Sequence, residues 1–182
     1  MFSKEPAITR AAKVVPYFVP CQMIDESEFR RVMGHFATGV AVVTSCRDDG
    51  TAAGLTVSAV SSVSLRPMLV LACVDKASQT HALIQQAGYF AVSFLAEGRG
   101  ETIARRFGTG GPAEEKFRGT PWHEESTGAP VLDDALAWVD CRVHAALPGG
   151  DHTIFIGEVL SAGAREGTPL LYYRGGYGRF SH

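Results

Sequence analysis

The chain has 182 residues, of which 46% are hydrophobic and 20% charged, and its formal net charge is −2. This length suits one domain with a buried core. The charge balance supplies neither the basic surface of a nucleic-acid-binding protein nor a polybasic membrane anchor. No apolar run is long enough to span a bilayer, and no secretory signal pattern is visible. We therefore expect a cytoplasmic protein.

The cysteines favour neither a disulfide framework nor a metal centre. Four are present, and none belongs to a C-x-x-C pair: Cys21, Cys46, Cys73 and Cys141. Three of them lie in apolar strand patterns, where a free cysteine behaves as a small hydrophobic residue. Because the Cys and His spacings match no zinc-ligand pattern, we expect no metal site.

Residues 1–24 and 25–182 differ in their patterning. The first segment has no sustained period and contains three prolines, which predicts an extended arm lying across the body or a partner subunit. Asp25 is then a candidate N-cap, with Glu28 placed to reach back to it. A helix is predicted from there to Gly39, with one apolar face made of Phe29, Val32, Met33 and Phe36.

The pattern of residues 39–74 predicts the central part of a sheet. In chain order it indicates a strand, a turn, a second strand, a bend and a third strand. Asp49 and Gly50 form a strong hairpin signal, and Pro67 belongs at a bend or strand start. The run from Met68 to Val74 predicts a strand buried on both faces. The intervening strand, within 51–64, is rich in Ser and Thr. Those small side chains either form an ordinary solvated face or leave room for a flat ligand against the backbone.

The segment after this strand predicts a turn and a short helix. Ser78 is the candidate N-cap, and Gly88 follows the last helical residue, Ala87. A strand end followed by a helix N-terminus also presents free N–H groups, which can bind an anion. An ordinary helix cap is the alternative reading.

The remaining chain predicts strands over 89–95, 135–147, 152–164 and 169–173, and a helix over 99–107. Loops are predicted over 108–112 and 120–131, and residues 174–178 are predicted to leave the sheet. No G-x-S-x-G elbow, Walker A loop or Rossmann G-x-G-x-x-G motif is present. The sequence therefore supports neither a serine hydrolase nor a Rossmann dinucleotide site.

Several short segments together resemble the flavin reductase family. They are Thr38-Gly39 before a Val-rich strand, Gly54-x-Thr-x-Ser58, Ser62-x-Ser64-x-x-Pro67, a strand ending near Cys73, Gly150-Asp-His152 and Arg174-Gly-Gly-Tyr177. The resemblance covers roughly residues 26–178. It implies a mainly β fold with peripheral helices, an FMN-binding split antiparallel β-barrel of six or seven strands.

The resemblance also implies where a flavin, FMN or FAD, would bind. The flavin phosphate is expected at turn 75–80, and Arg106 and Phe107, with Lys116 and Phe117 beyond them, are expected in a segment that closes over the flavin. Arg106 complementing the end of its own helix is an equal alternative. The cofactor-binding residues implied are Gly54, Leu55, Thr56, Val57, Ser58, Ala59, Cys73, Val74, Asp75, Ser78, Gln79, Thr80, Arg106, Phe107, Arg174, Gly175 and Gly176.

The activity implied is an NAD(P)H:flavin oxidoreductase that supplies reduced flavin to a separate monooxygenase. NADH or NADPH would donate the hydride, with His152 and Tyr177 positioning the nicotinamide and Arg174 neutralising a dinucleotide phosphate. The family resemblance further implies a homodimer. The alternative is a flavin-binding split barrel without reductase turnover, such as an electron carrier or another flavoenzyme.

Overall fold

A computed structural model describes residues 23–181, which form four helices and twelve strands. The helices are α1 Glu26–Met33, α2 Gln79–Ala87, α3 Arg99–Gly108 and α4 Ala113–Phe117. The strands are β1 Thr38–Gly39, β2 Ala41–Cys46, β3 Ala52–Val57, β4 Val60–Leu65, β5 Met68–Asp75, β6 Tyr89–Leu95, β7 Trp122–Glu124, β8 Pro130–Leu132, β9 Ala135–Gly149, β10 His152–Ala164, β11 Leu170–Tyr173 and β12 Gly176–Arg179.

Seven strands form the main sheet, in the order β3-β2-β6-β9-β10-β5-β4. Every neighbouring pair in this sheet is antiparallel. A second sheet has the order β1-β11-β12, and β7 pairs with β8. The mainly β fold and the seven antiparallel strands confirm the split-barrel prediction.

Strands β3 and β4 lie at opposite edges of the main sheet although only Ser58 and Ala59 separate them in sequence. The sheet must therefore curl until its two edges approach each other. The backbone N–H of Cys73 donates to the carbonyl of Ala59 at 3.0 Å, next to this crossing. The single strand predicted over 51–64 is wrong, because the chain changes sheet edge in the middle of that segment.

Local capping signals place several elements as predicted. The Asp25 carboxylate accepts from the Glu28 amide at 2.8 Å and caps α1. Ser78 caps α2, and Gly88 ends it in the left-handed region with φ 76°. Gly50, with φ 82°, closes the β2–β3 hairpin.

Helix α1 differs from its prediction in three respects. It ends at Met33 with Gly34 as C-cap, five residues before Gly39. The Glu28 carboxylate pairs with Arg31 at 2.7 Å instead of reaching back to the cap. The residues of its apolar face, Phe29, Val32 and Met33, are at least half accessible within this chain, and so is Phe36, which lies beyond the end of the helix. No described element packs over that face.

Three other predictions were incomplete. Strand β5 is not buried on both faces, because Ala72 and Val74 on one face are fully buried while Leu69, Leu71 and Cys73 on the other are only half-buried. The loop predicted over 120–131 contains β7 and the first part of β8, and α4 was not anticipated. Residues 176–179 do not leave the sheet but return as β12, which pairs with β11.

The core has two main parts. The larger one fills the inside of the main sheet, where Phe90, Phe155 and Val92 are inaccessible or nearly so. The second lies between β2 and α3 and includes Phe107 and Leu170, with Tyr177 packed at its margin. Leu55, which packs against the first part, and Phe107, which belongs to the second, also line a cavity.

Some expectations lie beyond what the structure describes. The predicted arm over residues 1–24 falls, except for Met23 and Ile24, outside the described residues, as does Cys21, and the domain boundary stays a prediction. Cys46, Cys73 and Cys141 are free thiols. In residues 23–181, no helix combines the length and apolar character required to cross a bilayer.

Gly157 provides a test of the core geometry. It lies at a register shift between β9 and β10, and a Cβ there would approach Phe90 Cζ to 2.6 Å and Cys141 Cβ to 2.7 Å. We expect Gly157→Ala to lower the free energy of unfolding by about 1–3 kcal/mol through overpacking. Gly39→Ala, where nothing lies within 4 Å of the added carbon, is the control. Equal denaturation midpoints for Gly157→Ala and wild type would contradict this packing.

Candidate flavin site

The turn between β5 and α2 presents a helix N-terminus to a cavity. The Ser78 hydroxyl donates to the carbonyl of Asp75 at 2.7 Å and accepts from the His81 amide at 3.1 Å, so this side chain is used in the cap. The amides of Gln79 and Thr80 lie in the first turn, before a helix supplies its own acceptors. They and the helix dipole favour an anion at this point.

A cavity of about 330 Å³ lies in front of this helix end, and we call it the α2 pocket. Its walls come from the start of β3, the turn before α2, the end of α3 and the loop leading to α4. The lining residues are Ala53, Gly54, Leu55, Asp75, Ala77, Ser78, Gln79, Thr80, Phe107, Gly108, Thr109, Gly110, Gly111, Ala113 and Lys116. Seven of the predicted cofactor-binding residues therefore meet here: Gly54, Leu55, Asp75, Ser78, Gln79, Thr80 and Phe107.

Lys116 brings a cation into the α2 pocket. Its ammonium group donates to the carbonyl of Gly54 at 3.3 Å, and burial lowers its pKa. An anion bound nearby would favour the charged form of this side chain. Lys116 belongs to the segment expected to close over the flavin, but it was not among the predicted cofactor-binding residues, because its position depends on α4. The signal available was the resemblance of Lys116-Phe117, after the Gly-rich loop, to the family's closing segment.

Arg106 performs a different task from the one the resemblance implied. Its guanidinium donates to the carbonyl of Arg118 at 2.7 Å and to the Thr120 hydroxyl at 2.8 Å. These bonds fasten the chain beyond α4 to α3, and Arg106 does not line the α2 pocket. Arg106 also lies in the last turn of α3, where its positive charge complements the helix C-terminus as the alternative expected.

Phe107 forms a wall of the α2 pocket. It is fully buried and meets Phe117 edge to face, with ring centroids 5.1 Å apart. A Cβ at Gly54 would approach the Phe107 ring to 2.6 Å. Glycine at this position therefore lets the β3 backbone pass directly against the aromatic wall.

A second cavity, of about 800 Å³, lies beside α1, and we call it the α1 groove. Four predicted cofactor-binding residues line it: Ser58, Ala59, Arg174 and Gly175. The predicted residues are thus divided between two cavities. Both cavities are bordered by residues 53–61, and the backbone from Leu55 to Ser58 covers a distance on the order of 10 Å.

The turn at Arg174 contributes to the α1 groove through an unusual backbone conformation. Arg174 has φ 49°, in the left-handed region, and its N–H donates to the carbonyl of Gly34 at 2.9 Å. This bond connects the β11–β12 hairpin to the end of α1. Gly176, also predicted as a cofactor residue, begins β12 and lines neither cavity.

Four other predicted residues direct their side chains into packing. The Thr56 hydroxyl donates to the carbonyl of Ala104 at 2.8 Å, which ties β3 to α3. Val57 and Val74 belong to the core, and burial raises the pKa of the Cys73 thiol. None of the four lines either cavity.

His152 and Tyr177 lie in different sheets. His152 begins β10, pairs in register with Asp75, and has its Nδ1 2.7 Å from Asp151 Oδ1. This contact lowers the pKa of Asp151. Tyr177 is in β12, with its ring 5.4 Å from that of Tyr172 and 5.0 Å below the Arg105 guanidinium carbon. The register places His152 opposite Asp75, a lining residue of the α2 pocket, whereas Tyr177 packs towards α3. Neither His152 nor Tyr177 itself lines one of the two cavities.

Comparison with known proteins gives matches over most of the chain. The flavin reductase like domain matches residues 33–181. A reductase component of 4-nitrophenol 4-monooxygenase/4-nitrocatechol 2-monooxygenase from Rhodococcus opacus is 43% identical over 87% of this chain and 83% of its own. A flavin reductase (NADH) from Kitasatospora aureofaciens is 41% identical over 87% and 83%, respectively.

Solved structures agree with these matches. An NADH:FAD oxidoreductase from Streptomyces globisporus has a TM-score of 0.79 and 38% sequence identity, and the match covers 90% of this chain and all of that one. The flavin reductase PheA2 has a TM-score of 0.78 at 35% identity, covering 87% of this chain. The family match, the relatives and the seven-stranded antiparallel sheet agree, and the chain belongs to the flavin reductase family.

Proposed function

We propose that this protein is an NAD(P)H:flavin oxidoreductase that transfers a hydride from a nicotinamide nucleotide to FMN or FAD. The observation that carries the proposal is the α2 pocket, where a capped helix N-terminus and Lys116 converge beside the backbone of β3. Relatives named flavin reductase (NADH) and reductase component of a monooxygenase support it. The product, reduced flavin, would pass to a separate monooxygenase.

The α2 pocket fits the phosphate of a flavin. The amides of Gln79 and Thr80 and the Thr80 hydroxyl would donate hydrogen bonds, and Lys116 would supply the countercharge. Residues 53–61 would border the rest of the flavin, since this segment continues from the α2 pocket to the α1 groove. When bound, the flavin supplies the hydride acceptor, and the protein supplies position and protection from water.

His152, Tyr177 and Arg174 would hold the nicotinamide nucleotide. None of these residues needs to transfer a proton, because hydride transfer depends mainly on bringing the two rings to about 3–3.5 Å. His152 is paired with Asp75, which lines the α2 pocket, while Arg174 lines the α1 groove. A nucleotide contacting all three would therefore extend from beside the α2 pocket towards the α1 groove.

The proposal is tested by anaerobic reduction of flavin. The protein is mixed with FMN or FAD and with NADH or NADPH, and the loss of flavin absorbance near its visible maximum is followed. We expect catalytic reduction with at least one flavin and one nucleotide. Flavin binding without reduction by either nucleotide would overturn the reductase and favour a flavin-binding protein of another kind.

The phosphate position leads to a prediction for flavin affinity. Thr80→Ala should weaken FMN binding by roughly 1 kcal/mol or more, the order for a hydrogen bond to a charged group, and Lys116→Met should also weaken it. Riboflavin, which lacks the phosphate, should bind both variants almost as well as wild type. Arg118→Met removes the same charge outside the α2 pocket and is the control. Equal losses for FMN and riboflavin would place the phosphate elsewhere.

The nicotinamide residues lead to a prediction for the hydride step. His152→Ala and Tyr177→Phe should keep the dissociation constant of the flavin and slow flavin reduction in stopped-flow experiments, because misplaced rings react poorly. A raised KM for NADH with unchanged kcat would indicate lost ground-state binding, and a lower kcat would indicate lost alignment. Normal reduction in both variants, or lost flavin binding with normal reduction, would rule out these roles.

We further propose that the chain forms a homodimer through the exposed face of α1. Phe36 on that side is 70% exposed, and the β4–β5 hairpin exposes Leu65 (85%) and Met68 (58%). So many exposed apolar side chains on one side of a protein usually mark an interaction surface. A second copy of this chain can cover them in a two-fold symmetric contact.

The dimer proposal is tested by sedimentation at micromolar concentration. Wild type should sediment as a dimer, and Phe36→Glu should shift it towards monomer, because a charge would be buried without a partner. Glu115→Lys, a charge change on exposed α4, should leave the dimer intact. A wild-type monomer with flavin bound would contradict the proposal.

A further inference from the structure

The turn before α2, which lines the α2 pocket, is hydrogen-bonded to the turn before β10. The N–H of Lys76, in the turn before α2, donates to the carbonyl of Asp151 at 3.1 Å. Its ammonium group donates to the carbonyl of Gly150 at 2.5 Å. The turn before α2 and the turn before β10 therefore share two hydrogen bonds, in addition to the pairing of His152 with Asp75.

A buried side-chain contact completes this connection. His81 Nε2, from the first turn of α2, lies 2.8 Å from the Thr153 hydroxyl in β10, and each residue is only 7% exposed. The His81 ring also packs against Phe155, with centroids 5.4 Å apart. Burial and the nearby Lys76 lower the pKa of His81, which favours the neutral ring. A neutral imidazole can pair with a hydroxyl as donor or acceptor.

The two partners of this contact each adjoin a part of the candidate site. The His81 amide donates to Ser78, the residue that caps the proposed phosphate site. Thr153 directly follows His152, and because side chains alternate along a strand, Thr153 points inward while His152 points to the opposite face. The contact thus links the first turn of α2 to the backbone that carries His152.

We propose that the His81–Thr153 contact is a positioning contact for hydride transfer, which holds His152 in place relative to the phosphate-binding end of α2. This inference rests on the proposed reductase function. His81 and Thr153 do not line either cavity, so they would act through His152 and not by touching flavin or nucleotide. If the contact only stabilised the fold, the effect of removing it on the rate of flavin reduction would not depend on whether His152 is present.

The test uses Thr153→Val, which keeps a branched strand residue of similar volume and removes the hydroxyl. We expect FMN affinity to be retained and the rate constant for flavin reduction at saturating NADH to fall about tenfold, within the range that small misplacements produce. Thr153→Ser, which restores a hydroxyl, should recover most of that rate. Ser93→Ala removes another fully buried hydroxyl, which accepts from the Leu132 amide at 3.1 Å, and should leave the rate unchanged.

The deciding measurement combines Thr153→Val with His152→Ala. If Thr153 acts through His152, the double variant should reduce flavin at the same rate as His152→Ala alone, because coupled residues are not additive. If the fold-loss in the reduction rate of the double variant equals the product of the losses in the two single variants, the proposal is overturned. An unchanged rate in Thr153→Val would also overturn it. Failure of the wild type to reduce flavin, or an unchanged rate in His152→Ala, would instead refute the underlying function or the role of His152.

Discussion

Strand β10 determines the arrangement of the site, because it pairs with β5 on one side and with β9 on the other. The β5 register places His152 opposite Asp75, which is the last strand residue before the turn into α2. The strand end that leads into α2 and the first residue of β10 are therefore held in one register. Any shift of this register by one residue would also exchange the buried and exposed faces of β10.

The curling of the main sheet, which brings its two edges near each other, forms the other boundary of the candidate site. Because the chain crosses from β3 to β4 at Ser58 and Ala59, its backbone runs along the opening between the two sheet edges. The same segment borders the α2 pocket at Gly54 and the α1 groove at Ser58. An elongated ligand with an anionic end suits this arrangement, since the cation and the helix N-terminus occur at one end and small side chains continue along the opening.

Features determined by neighbouring residues were predictable from the sequence, and those determined by distant contacts were not. Ser78 and Gly88 bound α2 as expected, because capping depends on residues within one turn. The crossing at Ser58 depends on long-range pairing, so the pattern of small residues suggested one strand. Lys116 reaches the α2 pocket only because α4 folds over β3. Arg106 carries the same charge and also stands next to a phenylalanine, but its guanidinium donates to the carbonyl of Arg118 and not to the pocket wall at Gly54.

The central claim is that the flavin phosphate binds at the N-terminus of α2 while the remainder of the flavin follows residues 53–61. A crystal structure of the FMN complex tests this most directly. We expect phosphate oxygens within hydrogen-bonding distance of the Gln79 and Thr80 amides, with the Lys116 ammonium beside them. A phosphate bound in the α1 groove, next to Arg174, with the α2 pocket empty, would contradict it.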